Sequence, residues 1–225
     1  MLNAAAYKSG LLLVCLSLGL AACSSPKTQE DARASADAAD ATLKRFIHDP
    51  DMNWLQQNMP KARAVMICPQ ILQAGFVFGG AGGTCVVMSR SQTDGGWNGP
   101  AFYKMAIGSV GLQAGAQSSE MVALIMTDKA RDSLLSSSFK LGGDVSVAAG
   151  PVGTGAGSQI NADMVNFVKS KGLYGGLNLD GSVISVDDGG NASYYGHPAT
   201  PVDILVKKTV TSPTGSALAR TAAGQ

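Results

Sequence analysis

The sequence has 225 residues and a nearly even charge balance, with 17 Lys and Arg against 16 Asp and Glu. This balance excludes attraction to nucleic acid through net charge, so any electrostatic binding site must be a local patch. The length suits one domain of ordinary size with its own hydrophobic core. The 28 glycines have no collagen-like period, and they indicate tight turns and close backbone approaches in a β-rich domain.

The first 22 residues have the layout of a secretory signal. Lys8 supplies a basic start, residues 11–20 form an apolar run too short to span a bilayer, and residues 20–23 match a lipobox. We therefore predict that residues 1–22 are removed, that Cys23 is lipidated, and that residues 23–29 form a tether. By resemblance to Gram-negative sorting rules, Ser24 favours the periplasmic face of the outer membrane. The alternatives are an ordinary signal peptide with an incidental Cys23, or a short buried helix.

Residues 30–47 have a helical pattern of apolar positions, and the sequence His48-Asp49-Pro50 ends it because the residue before proline avoids the helical region. This amphipathic helix either lies on a membrane or packs against the domain. Its polar face carries both signs of charge, whereas binding to anionic lipid needs a basic face, so packing is favoured. The apolar stripe consists of Ala32, Ala36, Ala39, Leu43, Phe46 and Ile47.

Residues 64–186 alternate between apolar, strand-like runs and glycine-rich turns. The glycines at 79–83 are interpreted as a wide turn between two strands, because no lysine follows them as a phosphate-binding loop requires. Residues 109–117 are predicted to form one continuous strand, and Thr127 to cap a short helix. We predict an α+β fold, a single domain over residues 30–210 with a curved, mostly antiparallel sheet or barrel-like body. Residues 211–225 are expected to form a flexible tail.

Few residues of the chain have catalytic chemistry. The two histidines, His48 and His197, lie in no metal-binding spacing, and Ser109 lacks one glycine of a hydrolase nucleophile motif. We predict a non-enzymatic protein without metal or cofactor. Cys68 and Cys85 remain after removal of the leader, and they form either a disulfide in an oxidising compartment or two small buried apolar groups.

Several ordered blocks in the body are similar to the SYLF domain family, over roughly residues 43–218. The resemblance implies the fold and lipid binding without enzymatic activity; phosphoinositide binding and, in fungal members, actin binding are also associated with the family. The charge-balanced helix departs from the family's basic segment, and actin is an implausible partner for an exported protein. The blocks include residues 64–67 with Pro69, 74–76, 97–103, 108–117, 127–130, 139–142, 147–153, 170–176, 179–182, Asn191 with 194–196, and 203–205.

The leading functional hypothesis is a lipid-anchored, non-enzymatic domain that binds phospholipid in the cell envelope. Four basic residues near the junction of the helix and the body are the predicted headgroup contacts: Lys44, Arg45, Lys61 and Arg63. Alternatively, these four side chains belong to a solvated rim with no ligand. A second hypothesis is an envelope scaffold that docks other proteins, without a specific lipid. A hydrolase acting on envelope lipids would require His197 to meet Ser109 or another nucleophile.

Overall fold

The computed structural model describes residues 25–75, 78–110, 115–153, 160–170, 173–174, 179–210 and 216–224. The predicted signal and Cys23 lie outside these residues. The helices are α1 (Gln29–Ile47), α2 (Asn53–Asn58), a 3-10 turn (Met59–Lys61), α3 (Asp128–Ser133), α4 (Asp188–Tyr195), a π-helical turn (Val202–Val206) and α5 (Ser216–Ala222). The strands are β1 (Ala64–Gly75), β2 (Phe78–Arg90), β3 (Trp97–Val110), β4 (Gly115–Ile125), β5 (Ser138–Lys140), β6 (Val147–Ala149), β7 (Met164–Ser170), β8 (Leu173–Tyr174) and β9 (Val183–Val186).

The strands of the described residues form one sheet in the order β5-β9-β3-β2-β1-β4-β7-β6, with β8 also paired to β7. Neighbouring strands are antiparallel except for β6 and β7. The four long strands occupy its centre in the order β3-β2-β1-β4, so β3 and β4 flank the hairpin of β1 and β2. The prediction of an α+β domain with a curved, mostly antiparallel sheet is confirmed.

Both faces of the sheet are covered near the start of β1. On one face lie α1 and α4, where the ring of Tyr194 contacts that of Phe102 with centroids 5.3 Å apart. On the other face, the Tyr103 hydroxyl donates a hydrogen bond to the carbonyl of Leu134 at 2.6 Å. Burial raises the pKa of Tyr103 well above its ordinary value, because the phenolate would lose its hydration. This half of the sheet is therefore the hydrophobic core.

Helix α1 packs on the sheet as its apolar stripe predicted. Thr28 caps its first turn, since its hydroxyl accepts from the Asp31 amide and the Asp31 carboxylate accepts from the Thr28 amide. Five of the six predicted stripe residues are buried, and Ile47 is half-buried. The helix crosses β2, β1 and β4 and continues past α4.

The glycine run at 79–83 is not the predicted wide turn; it lies inside β2, where it pairs with β1 and β3. The continuous strand predicted at 109–117 is also wrong, because residues 109–110 belong to β3 and residues 115–117 to β4, which runs in the opposite direction on the other side of the β1–β2 hairpin. A β-bulge in β1 at Pro69 and Gln70 explains one of these glycines. A Cβ on Gly83 would clash with the carbonyl oxygen of Gln70, so only glycine fits opposite the bulge.

Beside the bulge, a disulfide joins Cys68 of β1 to Cys85 of β2. From the sequence alone, either a disulfide or two buried free thiols was possible at these positions. Both half-cystines are fully buried.

The flexible tail predicted at 211–225 is incorrect for the residues that form α5. The sequence Ser-Ala-Leu-Ala-Arg-Thr-Ala contains good helix formers, and Leu218 and Ala222 are buried against the rest of the domain. The Thr221 hydroxyl donates to the carboxylate of Asp40 in α1 at 2.5 Å. Packing against α1 therefore orders this helix.

The chain enters the domain beside α4. The Ser193 hydroxyl donates to the carbonyl of Pro26 at 3.1 Å, and the Gln29 amide donates to that of Tyr194 at 3.3 Å. Every described helix and strand lies between residues 29 and 222, and together they build one core. A chain that begins at Ser25 thus keeps every contact described here.

Candidate functional site

A groove lies between α1 and the exposed continuation of the sheet. Its larger part has a volume of about 910 Å³ and its smaller part about 310 Å³. Both parts are bounded by Ala38 of α1 and by Pro69 and Gln70 at the bulge of β1. The bulge therefore shapes the floor of the groove where it passes under the helix.

The helix contributes a wall of small side chains. Ala34, Ala38 and Ala41 recur at steps of four and three residues, so they lie on one flank of α1, and all three are exposed. This flank differs from the buried stripe, although both are rich in alanine. The wall has no charge until Arg45, three turns after Ala34.

One end of the groove is charged. The Arg45 guanidinium donates two hydrogen bonds to the Glu120 carboxylate, at 2.5 and 3.4 Å, and a third to the Thr42 hydroxyl at 2.9 Å. Glu120 of β4 is the cross-strand neighbour of Lys169 in β7, whose ammonium lies 3.2 Å from Asp49. Two cations and two carboxylates thus meet where the groove closes.

This end has the chemistry to receive an anion beside an uncharged body. Arg45 is half-exposed, with 52% of its side chain accessible, so a phosphate or carboxylate can reach its guanidinium and becomes a bidentate partner where it displaces Glu120 from Nε and Nη2. Its pairing with Glu120 lowers the net positive charge, and a bound anion must compete with that carboxylate. Lys169 of β7 adds a second donor group from the sheet side of the groove.

Of the four predicted headgroup contacts, Arg45 alone lines this groove. Lys44 follows it in α1 but pairs with Asp40 at 2.7 Å. Lys61 lies in the 3-10 turn with its ammonium 3.4 Å from the Asn58 side chain.

Arg63 also lies away from the groove, just before β1, where its guanidinium is 3.4 Å from Asp128. Its amide donates to the carbonyl of Ile125, and Ile125 is five residues from Glu120 along β4. At 3.4 Å per residue, this is a separation of about 17 Å. The structure therefore does not gather the predicted residues into one cluster.

Sequence reasoning missed Glu120 and Lys169. Each comes from a different strand, and only the antiparallel pairing of β4 with β7 makes them neighbours. Pro69 was the available local signal, because proline within an apolar strand-like run marks an edge or a bulge.

Neither of the histidines considered for catalysis lines the groove. The ring nitrogen Nδ1 of His48 contacts the carbonyl of Lys44, and that of His197 contacts the carbonyl of Pro198. The side chain of Ser109 lies outside the described residues. Within the described ranges, no three His, Cys, Asp or Glu side chains are placed to hold a metal ion, and no helix there is long and apolar enough to cross a bilayer.

Comparison with known proteins gives consistent matches. Residues 106–224 match the family model described as "Ysc84: Las17-binding protein actin regulator". The chain is 32% identical over 200 residues to "Protein YSC84" of Saccharomyces cerevisiae, covering 84% of this chain and 42% of the relative. It is 34% identical over 142 residues to yeast "LAS seventeen-binding protein 3", covering 60% of this chain and 31% of the relative.

A human relative matches a similar extent of the chain. It is "SH3 domain-containing YSC84-like protein 1", 27% identical over 187 residues, covering 79% of this chain and 54% of the relative. The chain thus spans between a third and about half of the length of these curated relatives. The relatives' names refer to Las17 and, through the family description, to actin regulation, a class of partner that the sequence prediction set aside.

Proposed function

Because this chain belongs to the Ysc84 family, whose domain is also called SYLF, we propose that it is a non-enzymatic module that binds phospholipid. The groove between α1 and the sheet receives part of the lipid, with the headgroup phosphate at Arg45 and Lys169. The uncharged alanine wall lies against the glycerol and the first methylenes of the acyl chains.

The observation that carries this proposal is the change in character along the groove. Its wall is small and uncharged from Ala34 to Ala41, and it then meets a half-exposed arginine and a lysine. A phospholipid has the same order of groups, an apolar body attached to a phosphodiester. Arginine binds phosphate oxygens bidentately, which makes Arg45 the principal contact.

We further propose that Cys23 anchors the domain at the periplasmic face of the outer membrane. Cys23 is two residues before Ser25, so an anchor there would hold the α4 side of the domain within about 10 Å of the lipid headgroups. Tethering makes a weak lipid affinity intramolecular and therefore raises its effective strength. Lipid recognition by the domain must consequently be measured without Cys23.

Flotation of the chain beginning at Ser25 with phospholipid vesicles tests the proposal. We expect binding to phosphatidylglycerol-containing vesicles that exceeds binding to pure phosphatidylcholine. Arg45→Gln should weaken it, because the phosphate loses its bidentate donor. Glu120→Gln should strengthen it about fivefold, because a competing carboxylate worth about 1 kcal/mol is gone.

Lys61→Gln is the matched control, because it removes one positive charge away from the groove and should leave binding close to that of the unchanged chain. Equal absence of binding to both kinds of vesicle would rule out the proposal. Weaker binding by Glu120→Gln would assign the Arg45–Glu120 pair a structural role instead.

A second candidate function is protein docking in the cell envelope. The descriptions of the family and of the yeast relatives name a protein partner, Las17, and actin regulation. Cross-linking in intact cells separates the two functions, since adducts dominated by one protein partner favour docking. Adducts dominated by lipid favour phospholipid binding.

A further inference from the structure

The far ends of the four central strands form a part of the sheet without charged residues. We call this the distal lobe: residues 71–75 of β1, 78–84 of β2, 106–110 of β3 and 115–118 of β4. The sequence has no Asp, Glu, Lys or Arg at 71–83 or at 105–119. Strand pairing brings these two uncharged segments side by side, with Gly80 between Ala74 and Gly108, and Ala116 beyond Ala74.

The distal lobe is exposed as well as uncharged. Glycine and alanine are frequent in it, and seven of its described positions, spread over all four strands, are open to solvent, while Ile71, Gly83 and Ile107 are buried. The exposed positions are Ala74, Gly80, Ala106, Gly108, Ala116, Gln117 and Ser118. An exposed surface of a protein ordinarily carries charges, so four adjacent strand ends without any are unusual for a part that faces only water.

Charged residues begin where the distal lobe joins the core. Lys104 lies on β3, opposite Thr84, and its ammonium is 3.5 Å from Asp187. Arg45 and Lys169 lie at the other side of the sheet, next to β4. These three cations, which we call the basic collar, are thus found on both sides of the base of the lobe, and each is paired with a carboxylate that a lipid phosphate must displace or outcompete: Asp187, Glu120 and Asp49.

The dimensions suit a lipid interface. From Glu120 to the start of β4 at Gly115 the strand runs about 17 Å, at 3.4 Å per residue. The polar headgroup layer of one leaflet is about 5 to 8 Å thick. The lobe is therefore long enough to cross that layer while the basic collar stays on its water side.

We infer that the distal lobe enters the headgroup layer of an anionic phospholipid bilayer, with Lys104, Arg45 and Lys169 contacting lipid phosphates. This inference rests on the proposed function and specifies the surface that makes the contact. A lobe without charges enters at little desolvation cost, whereas each buried charge is unfavourable. Insertion is shallow, because among the described residues no strand covers the outer edges of β3 at 107–110 and of β4 at 115–118.

Charges placed in the lobe test the inference. In the chain beginning at Ser25, Ala116→Glu and Ala106→Glu should each lower partitioning onto phosphatidylcholine–phosphatidylglycerol vesicles about fivefold. Ala116→Gln and Ala106→Gln add nearly the same volume without charge and should bind within about twofold of the unchanged chain. Gln57→Glu makes the same change in net charge in α2, at the opposite end of β1, and should also have little effect.

Circular dichroism and thermal unfolding of each variant establish that it is folded before its binding is compared. Binding by the two glutamate variants equal to that of the glutamine variants overturns the inference, and leaves the proposed function standing if the unchanged chain binds. Equal losses in Gln57→Glu assign the effect to net charge and also overturn it. An unchanged chain that binds neither kind of vesicle overturns the proposed function itself.

Discussion

The two halves of the central strands have the same topology and opposite environments. Near the start of β1, residues 64–68 and their neighbours in β2, β3 and β4 are fully buried between helices and loops. In the distal lobe the same four strands continue with many glycines and alanines, and each of the four has at least one exposed position. The bulge and the disulfide of Cys68 with Cys85 lie at the boundary. Strand pairing therefore extends the sheet beyond its hydrophobic core, and the volume of the side chains determines which part of the sheet is closely packed.

Matched truncations in β1 should give the largest difference between the two halves. Ile67 is fully buried in the core half, and Leu72 is half-buried in the lobe. We expect Ile67→Ala to lower the free energy of unfolding by about 4 kcal/mol and Leu72→Ala by about 1 kcal/mol, because only the first leaves a closed cavity. Urea titration of both variants measures this. Equal losses would mean that the lobe is packed as tightly as the core.

Substituting alanine for two glycines of the sheet should show where its closely packed part ends and the open part of the distal lobe begins. A Cβ at Gly83 would clash with the Gln70 carbonyl, whereas a Cβ at Gly108 would have nothing within 4 Å. Gly83→Ala is expected to cost about 3 kcal/mol, because the backbone at the bulge must shift. Gly108→Ala should be neutral or slightly stabilising, because alanine has less freedom in the unfolded chain. A neutral Gly83→Ala, measured by thermal unfolding, would contradict the close approach.

Lowering the pH should weaken the hydrogen bonds around Asp163 and should not affect the distal lobe, which has no carboxylate. The Asp163 carboxylate accepts hydrogen bonds from the Thr127 hydroxyl at 2.7 Å and from the amide and hydroxyl of Ser146. These bonds lower its pKa from 3.8 to about 2, with a smaller contribution from the charge of Lys129. Because the folded pKa is depressed, this stabilisation is complete above pH 3.8 and is lost as the pH falls through about 2.

Asp163→Asn should therefore lower the free energy of unfolding at neutral pH by about 2 kcal/mol. The NH2 group of the asparagine would face hydrogen-bond donors, whereas both carboxylate oxygens of Asp163 accept from them. The decline in stability between pH 3.8 and about 2 should become shallower than in the unchanged chain. Exposed Asp37→Asn is the control, with little change expected in either quantity. A pH profile of Asp163→Asn identical to that of the unchanged chain would contradict the assignment.

The sequence predicted the elements whose pattern is local. The stripe from Ala32 to Phe46 repeats at helical spacing, so α1 and its buried face could be recognised without a structure. The glycines of β2 could not be placed, because glycine is typical of turns and only pairing with β1 and β3 holds it in a strand. The charged end of the groove was half-predicted, since Arg45 is in the helix while Glu120 and Lys169 become neighbours through strand register.

The contact between the first and last helices sets the order in which the domain is completed during synthesis. Thr221 follows Asp40 by 181 positions, yet its hydroxyl binds the Asp40 carboxylate, and α5 covers part of α1. A chain emerging from its N-terminus must therefore hold α1 with an uncovered face until residues 216–222 have been made. The packing of α1 is thus completed only after the end of the domain is synthesised. Premature termination before α5 would release a chain in which part of α1 is still exposed.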